Sequence, residues 1–465
     1  MLRIFRQYYP IRNIFFVIGE GIFIFTSLYI ASWIIIGTEL MNFYAYHTLK
    51  ILLITFVCQI CLYYNELYDF KITASVKELG LRLMQALGFA AIALAIIYIF
   101  VPKAIIGTST FLIGTGFIII IIVSWRFCYT LVLNRGLFNQ KIILLGSEDL
   151  VREIKHEITG RKDCGYTIIA EIPESNRKSD PADSGNPAAF CGHKYEGLAD
   201  HARLRGIEKI IVAIKEKRNN FPTKELLKCR VAGIEIIDGN SFYEMLTGKL
   251  IVNAINPSWL IFSEGFRSSR TRRVVKRFFD QILAFIGLII FLPLMGIIAV
   301  LVKLDSKGPV IFSQERVGQK GKIYSIHKFR SMICDAEKEC GPVWAGNDDS
   351  RITRVGKIIR KWRFDEIPQL WNVLKGDMSF VGPRPEREYF VEDLQKIIPF
   401  YRERHTVKPG LTGWAQVCYS YGASVEDAIE KLNYDLFYIK NLSFLMDLMI
   451  VMRTIKIVLF RKGAR

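Results

Sequence analysis

Five apolar runs of bilayer length punctuate the sequence, and a chain carrying them must bury them in lipid or against one another. Four come early, near residues 14–37, 47–65, 83–102 and 109–130, each close to the ~20 residues that carry a helix across a bilayer. The first is too long for a cleavable signal peptide, and no small-residue cleavage pattern follows it. Lysine and arginine in the flanks orient the set. Arg3, Arg6 and Arg12 precede the first run, Lys71, Lys77 and Arg82 fill the 66–82 loop, and Arg126, Arg135 and Lys141 accompany the end of the fourth. The two opposite loops hold little beyond Lys50 and Lys103. Four crossings over residues 1–135, with both ends on the cytoplasmic side, satisfy that bias. Glu20 inside the first run is either part of a polar pathway or a helix-packing contact.

The fifth run, QILAFIGLIIFLPLMGIIAVLV within 276–303, reads as a transmembrane helix by length. Two features oppose a simple span. Positive charge flanks it on both sides, in RSSRTRRVVKR before and at Lys303 and Lys307 after. Pro293 stands near its centre, where a missing N–H and a ring clash bend a helix. A re-entrant helix that bends at Pro293 and returns to the same face satisfies both constraints, and leaves the rest of the chain in the cytoplasm beside the headgroups.

Between these hydrophobic blocks, residues 139–265 are mixed in character. KIILLGSEDLVREIKHEI, KIIVAI (209–214) and GIEIID (233–238) alternate buried strands with helical stretches, which implies a parallel α/β sheet. The first turn, Gly146-Ser147-Glu148, carries one of the three glycines of a dinucleotide fingerprint and adds an acid near where a pyrophosphate would sit. A degenerate Rossmann-like domain that need not bind a nucleotide is expected, with the stretch around 174–190, containing ESNRKSDPADSGNP, as a loop within it.

Half of the residues are hydrophobic (51%), yet the net charge is +18, a pairing that suits a membrane protein meeting anionic lipid or a phosphorylated substrate better than nucleic acid. The nine cysteines are scattered; Cys58 and Cys61 form a CxxC with no second pair and no nearby histidine, as reduced structural residues do. Basic residues crowd the first part of one stretch, RITRVGKIIRKWRFDEIPQLWNVLKGDMSFVGPRPERE (351–388). There Arg351, Arg354, Lys357, Arg360, Lys361 and Arg363 precede the adjacent acids Asp365 and Glu366, and Arg384 follows between two prolines. Cations take phosphate oxygens, and a carboxylate can hold a divalent metal or attack phosphorus. Charge alone leaves a solvated basic helix equally open. The terminal LSFLMDLMIVMRTIKIVLF is apolar with interspersed Asp447, Arg453 and Lys456, as in an amphipathic helix lying in the interface.

Several motifs, taken together and in order, carry a resemblance: KRFFD before the Pro-containing run, KLDSKGPVIFSQERVGQKG, KFRSM, RFDEIPQLWNVLKGDMSFVGPRPE, VKPGLTGWAQV and YDLFYIKNLS. Over 273–465 the chain resembles the bacterial sugar transferases, the monotopic polyprenol-phosphate phosphoglycosyl transferases. Four membrane helices plus a degenerate Rossmann-like domain resemble the long members that start exopolysaccharide or O-antigen synthesis. GPVWAG, SWLIFSEGF (258–266) and the terminal KGAR resemble the exopolysaccharide branch. The resemblance implies a C-terminal α/β monotopic catalytic domain in the bacterial cytoplasmic membrane. It would move a sugar-1-phosphate from a UDP-sugar to a polyprenyl phosphate such as undecaprenyl phosphate, and UMP would leave.

The same resemblance implies Asp365 as the nucleophile and a Mg²⁺ ligand, and Glu366 as its catalytic partner. It carries over Lys328 and Arg330 in KFRSM, Arg360, and Arg384 in GPRP as phosphate or active-site contacts. The partners it implies are a UDP-sugar, polyprenyl phosphate and membrane lipid, with no nucleic acid; self-association into a homo-oligomer is left open. Leu292 precedes Pro293 where some small family members have serine. His327 and His405 lie near the motifs, but a lipid phosphate is already an anionic nucleophile and needs no histidine base. A non-catalytic membrane scaffold or sensor, and a conventional glycosyltransferase releasing UDP, are the competing functions. The carboxylate pair among the arginines separates the enzyme from the scaffold, because binding anionic lipid requires only the cations.

Overall fold

Long apolar helices take up most of the first 134 residues, as the hydrophobic runs require: α1 (Ile11–Ile36), α2 (His47–Tyr64), α3 (Val76–Phe100) and α4 (Thr108–Asn134). The computed structural model describes residues 2–4, 7–9, 11–37, 46–68, 76–136, 139–161, 163–173, 195, 197–214, 221–254, 266, 269–333, 351–419, 422 and 424–460. Among these, five helices are long and apolar enough to cross a membrane. The chain divides into two units, with the main boundary between Phe242 and Tyr243.

In the first unit, α1–α4 pack around Ile24, Leu28, Ile51, Ile54, Leu62, Leu94 and Ile122. Their outer faces are equally apolar: Ile22, Trp33, Phe56, Ile92 and Ile120 are all exposed. Helices hydrophobic on every side are those of a membrane bundle. Glu20 is fully buried; its Oε1 accepts from Arg126 Nε at 2.8 Å and forms an ion pair with Nη2 at 2.7 Å. Arg126 also donates to the Leu67 carbonyl at 2.6 Å and lies over the rings of Phe16 and Tyr68. Arg126 is therefore no flanking charge, as its place in the sequence suggested. It is an internal partner of the one acid in α1, and Glu20 is a packing contact that ties α1, α4 and the end of the α2 segment.

The same unit contains the expected parallel sheet. Strands β1 (Gln140–Gly146), β2 (Tyr166–Pro173), β3 (Lys209–Ala213) and β4 (Glu235–Asp238) run in the order β2-β1-β3-β4, all parallel. Helices α5 (Glu148–Thr159), α6 (Leu198–Leu204) and α7 (Thr223–Val231) alternate with them. The central strand β3 is buried throughout and β1 over its last five residues, which explains their unbroken apolar runs. Gly146 has φ of +140°, and a Cβ there would fall 2.3 Å from the carbonyl carbon of Ala213. The Ser147 N–H donates to the Ala213 carbonyl at 3.0 Å. The single fingerprint glycine thus serves strand packing at the end of β1. The loop expected at 174–190 lies outside the described residues.

The second unit begins with Tyr243–Ala254, whose Leu250 and Val252 enter the C-terminal core with Trp414, Leu432, Leu436, Met446 and Ile450. Gly248 accepts from the Trp414 indole at 2.8 Å, and Asn433 from the Val252 N–H at 3.0 Å. These residues, assigned from sequence to the middle domain, belong with the C-terminal fold. Helix α8 (Arg270–Asp305) follows, 36 residues capped by the Ser269 hydroxyl. Pro293, expected as a break, stands inside one continuous helical element.

One stripe of α8 holds it to the rest of the unit. Lys276 pairs with Asp447 at 2.6 Å, Arg277 donates to the Leu374 carbonyl at 2.8 Å, and Asp280 accepts from the Phe380 N–H at 3.1 Å. Ala284 packs with Ile326, Val373 and Met378, and Ile298 and Val302 with Phe329 and Ile359. Asp305 accepts from the Val355 N–H at 2.9 Å. The other face, with Phe278, Phe285, Ile289, Leu292, Ile297 and Leu304, is exposed and apolar.

The remainder is a compact arrangement of short elements. An antiparallel hairpin, β5 (Ile311–Val317) and β6 (Ile323–Phe329), precedes α9 (Arg354–Lys361) and α10 (Gln369–Lys375). Strand β7 (Ser379–Val381) pairs in parallel with β8 (Gly410–Thr412), and α11 (Glu388–Ile397) lies between them in sequence. Helices α12 (Trp414–Cys418), α13 (Val425–Lys440) and α14 (Phe444–Phe460) close the unit. The C-terminal apolar stretch, expected as an amphipathic interfacial helix, forms α14. Its Asp447 and Thr454 bond inward, to Lys276 and Tyr438 and to Thr412, while Leu445, Leu448, Ile455 and Leu459 are exposed. GPVWAG (341–346), residues 258–265 and the terminal KGAR lie outside the described residues.

Candidate active site

The site is built where α9 ends. Thr353 caps α9 by accepting from the Gly356 N–H at 2.9 Å, and Ile359 buries the helix against Val302 and Phe329. Arg354, Lys357 and Lys361 stay exposed on its other side. Trp362 and Phe364 then stack at 6.2 Å, and Arg363 between them takes a left-handed φ of +55°. That conformation costs a non-glycine residue on the order of 1 kcal/mol. It reverses the chain into the single 3₁₀ turn Phe364–Glu366 and tucks both acids inward, each 9% exposed. Pro368 follows and leads directly into α10.

The neighbours of the two acids differ. Glu366 Oε1 accepts from Lys328 of β6 and from Arg384 of the GPRP loop, each at 3.1 Å, and Arg363 lies 3.7 Å from Oε2. Burial would raise its pKa, but Lys328, Arg384 and Arg363 more than offset that and hold Glu366 well below the usual carboxylate range. Asp365 makes no hydrogen bond or ion pair with any described residue. Burial and the charge of Glu366 push it up to about 6, against the pull of Lys328, Arg360 and Arg384. The result is one carboxylate locked as an anion by cations from three segments, and beside it a second that the protein leaves uncommitted. Lys328, Arg360, Arg363 and Arg384 outnumber the two acids, so the locality is positive and suits a diphosphate.

Backbone packing fixes where these cations stand. Asn372, fully buried on α10, accepts from the His327 N–H at 3.1 Å and donates to the Ser325 carbonyl at 2.8 Å, setting Lys328 on β6 against the acid turn. The GPRP loop is fastened to the KPGLTGW segment: Gly382 N–H donates to Thr412 and Gly410 N–H to Pro383, both at 2.9 Å. A Cβ on Gly382 would fall 2.3 Å from the Lys408 carbonyl oxygen, and one on Gly410 2.1 Å from the Gly382 nitrogen. Only glycine allows two backbones this close, so two motifs far apart in sequence form one piece.

Arg404, which sequence reasoning left without a role, completes the support. Its buried guanidinium donates to the Arg384 carbonyl at 3.0 Å, to Asp435 at 2.9 Å and to the Tyr401 hydroxyl at 2.6 Å. Arg330 takes a different place from its neighbour Lys328: it donates to the carbonyls of Ser306 at 2.7 Å, Val302 at 3.3 Å and Pro309, gathering the C-terminal end of α8. His327 pairs with Ser313 across the hairpin at 2.9 Å. Burial, with Arg404 and Arg402 nearby, pushes His405 down to about 4, so it is uncharged at neutral pH.

A family model described as bacterial sugar transferase matches residues 271–461, which contain every residue of this site. The chain is 44% identical over 240 residues to a UDP-N-acetylgalactosamine-undecaprenyl-phosphate N-acetylgalactosaminephosphotransferase of Aeromonas hydrophila, a match covering 52% of this chain and 56% of that protein. It is 50% identical over 139 residues to a Bacillus subtilis protein named as an undecaprenyl-phosphate N-acetylgalactosaminyl 1-phosphate transferase, covering 30% of this chain and 77% of that one. It is 29% identical over 375 residues to an undecaprenyl-phosphate galactose phosphotransferase of Salmonella typhimurium, covering 73% and 75%. Half-identity across three quarters of the Bacillus protein, together with the motif-bearing match from 271 to 461, places this chain in the bacterial sugar transferase family.

Proposed function

We propose that the chain transfers a sugar-1-phosphate from a UDP-sugar to a polyprenyl phosphate, releasing UMP, as the first membrane step of exopolysaccharide synthesis. The observation that carries this reading is the uncommitted carboxylate of Asp365 beside the fully engaged Glu366. An Asp365 oxygen attacks the sugar-bearing phosphorus. The bond from that phosphorus to the bridging oxygen breaks, and UMP leaves with the electron pair. A phosphosugar–aspartyl acyl phosphate remains. An oxygen of the lipid phosphate then attacks the same phosphorus, and the Asp365 carboxylate is regenerated. Lys328, Arg360 and Arg384 bind the diphosphate oxygens and stabilise the departing UMP. Glu366 holds Lys328 and Arg384 at the distance the phosphates require.

Mg²⁺ fits this donor set. No group of three or more His, Cys, Asp or Glu residues is present among the described residues, and Asp365 is the acid still available to a metal. One carboxylate plus substrate phosphate oxygens is a usual way to hold Mg²⁺, which neutralises diphosphate charge when bound.

The length and anchoring of α8 support the membrane placement. Straight, its 36 residues would extend roughly 54 Å, against a hydrocarbon core of ~30 Å. Its two ends, at Lys276–Asp280 and Val302–Asp305, are held by the same unit. That supports re-entry, with entry and exit on one face and the exposed apolar face of α8 in lipid. The catalytic unit then lies on the cytoplasmic side of the inner membrane, and the exposed Leu445, Leu448, Ile455 and Leu459 of α14 suit the same interface. The parallel sheet of 139–242 supports the Rossmann-like reading of the middle segment.

Membranes containing the chain, given undecaprenyl phosphate and a panel of UDP-sugars, are expected to release UMP with at least one sugar. UDP as the nucleotide product would replace phosphosugar transfer by ordinary glycosyl transfer, and silence across the panel would overturn the enzymatic reading.

A further inference from the structure

The structure assigns a role to Gln369: we propose that its side-chain amide is a substrate contact, donating to a phosphate oxygen of the nucleotide diphosphate bound at Asp365. This rests on the transfer reaction proposed above.

Three observations converge on it. Gln369 is only 3% exposed, and its Nε2 is buried with no hydrogen-bond partner. A buried, unmet amide donor is destabilising, so a fold retains one where something else satisfies it. Second, Gln369 stands four residues after Asp365 on an unbroken helical path. The turn Phe364–Glu366 continues through Ile367 (φ −56°, ψ −40°) and Pro368 (φ −59°, ψ −19°) into α10. Residues four apart share a helical face, so the amide and the nucleophile lie on one side of the same turn. Third, the surroundings select the ligand. Lys328, Arg360 and Arg384 are directed at this turn and already bring cation donors. A further N–H donor among them requires a ligand made of acceptors, as phosphate oxygens are.

The contact predicts opposite effects on stability and on activity. In Gln369→Met, a residue of similar volume fills the space without the unmet donor, so the free protein is at least as stable. Full-length chain in detergent should unfold at an unchanged or higher temperature in Gln369→Met, while kcat/KM for UMP release falls at least tenfold. Activity within twofold of wild type, as a buried water on Nε2 would give, overturns the proposal. So does joint loss of stability and activity, which marks a purely structural residue.

A second reading separates this contact from the reaction it rests on. UDP, which carries the same diphosphate, should raise the unfolding temperature of the wild type and raise that of Gln369→Met by less than half as much. A Gln369-dependent UDP shift without any turnover retains the contact and sinks the reaction. UMP release by the wild type with identical UDP shifts in both proteins does the reverse.

Discussion

Glu20 in the four-helix bundle and Asp365 in the C-terminal unit are both nearly sealed from solvent, and their surroundings treat them in opposite ways. Glu20 has an arginine fork closed on it, and that arginine is itself shared with a carbonyl and two aromatic rings. The acid there is paired with a cation. Beside Asp365 the cations lock onto the adjacent Glu366 instead. A buried charge is costly unless compensated, so the first arrangement serves assembly. The second keeps an anion available, as the proposed reaction requires. Burial alone does not distinguish a working carboxylate from a structural one; the distribution of its partners does.

Mutations can break or sharpen that contrast. The largest expected effect is at the uncommitted acid: Asp365→Asn keeps the shape and should cut turnover by on the order of 10⁴-fold or more, with unfolding temperature unchanged. A variant that stays active would erase the distinction drawn here. Next is the matched pair. Arg126→Leu strands a buried acid and should cost about 3–5 kcal/mol of stability, whereas the double change Glu20→Gln with Arg126→Met should recover most of it. Turnover per folded molecule should be unchanged in both, measured by detergent unfolding alongside the UMP assay.

A smaller effect is expected at the support behind Arg384. Arg404→Lys keeps a charge beside Asp435 but loses the planar fork that also reaches the Arg384 carbonyl, so kcat/KM should drop roughly tenfold. Arg404→Met should lose stability as well, because Asp435 is then left alone. The smallest concerns His405. Its folded pKa of about 4 lies below the 6.5 of an unfolded histidine, so as pH falls the unfolded chain takes the proton first. The stabilisation is complete above pH 6.5 and is lost on acidification toward pH 4. His405→Gln should flatten that part of the stability profile; an unchanged slope would place the acid sensitivity elsewhere.

How much of this could be read from residues depends on how far apart the partners lie. The bundle helices were legible because apolar runs of membrane length have few alternatives, and the acid pair because its basic context is local. Lys328 needed the motif resemblance to be singled out. Arg126 looked like an end charge because its partner is 106 residues away and nothing in either segment announces the other. Arg330, two residues from Lys328, shares its motif and its chemistry. Only the fold shows that it gathers the carbonyls at the end of α8 while Lys328 reaches the acids. In α14 the interspersed charges gave the helix but not its facing, since an amphipathic pattern does not state which side meets the core. The unmet amide of Gln369 left no sequence signal at all, because an absent partner becomes visible only when all the neighbours are in place.

The central claim is that Asp365 is the nucleophile, and one measurement addresses it directly. Full-length protein in detergent or nanodiscs, given a UDP-sugar labelled in the sugar-bearing phosphate and no lipid acceptor, should release about one equivalent of UMP and retain the label. Acid quench and peptide mapping should place that label on Asp365, and adding undecaprenyl phosphate before the quench should transfer it to lipid. Label on another residue, or UMP released only once the lipid is present and with no labelled protein, would contradict the account.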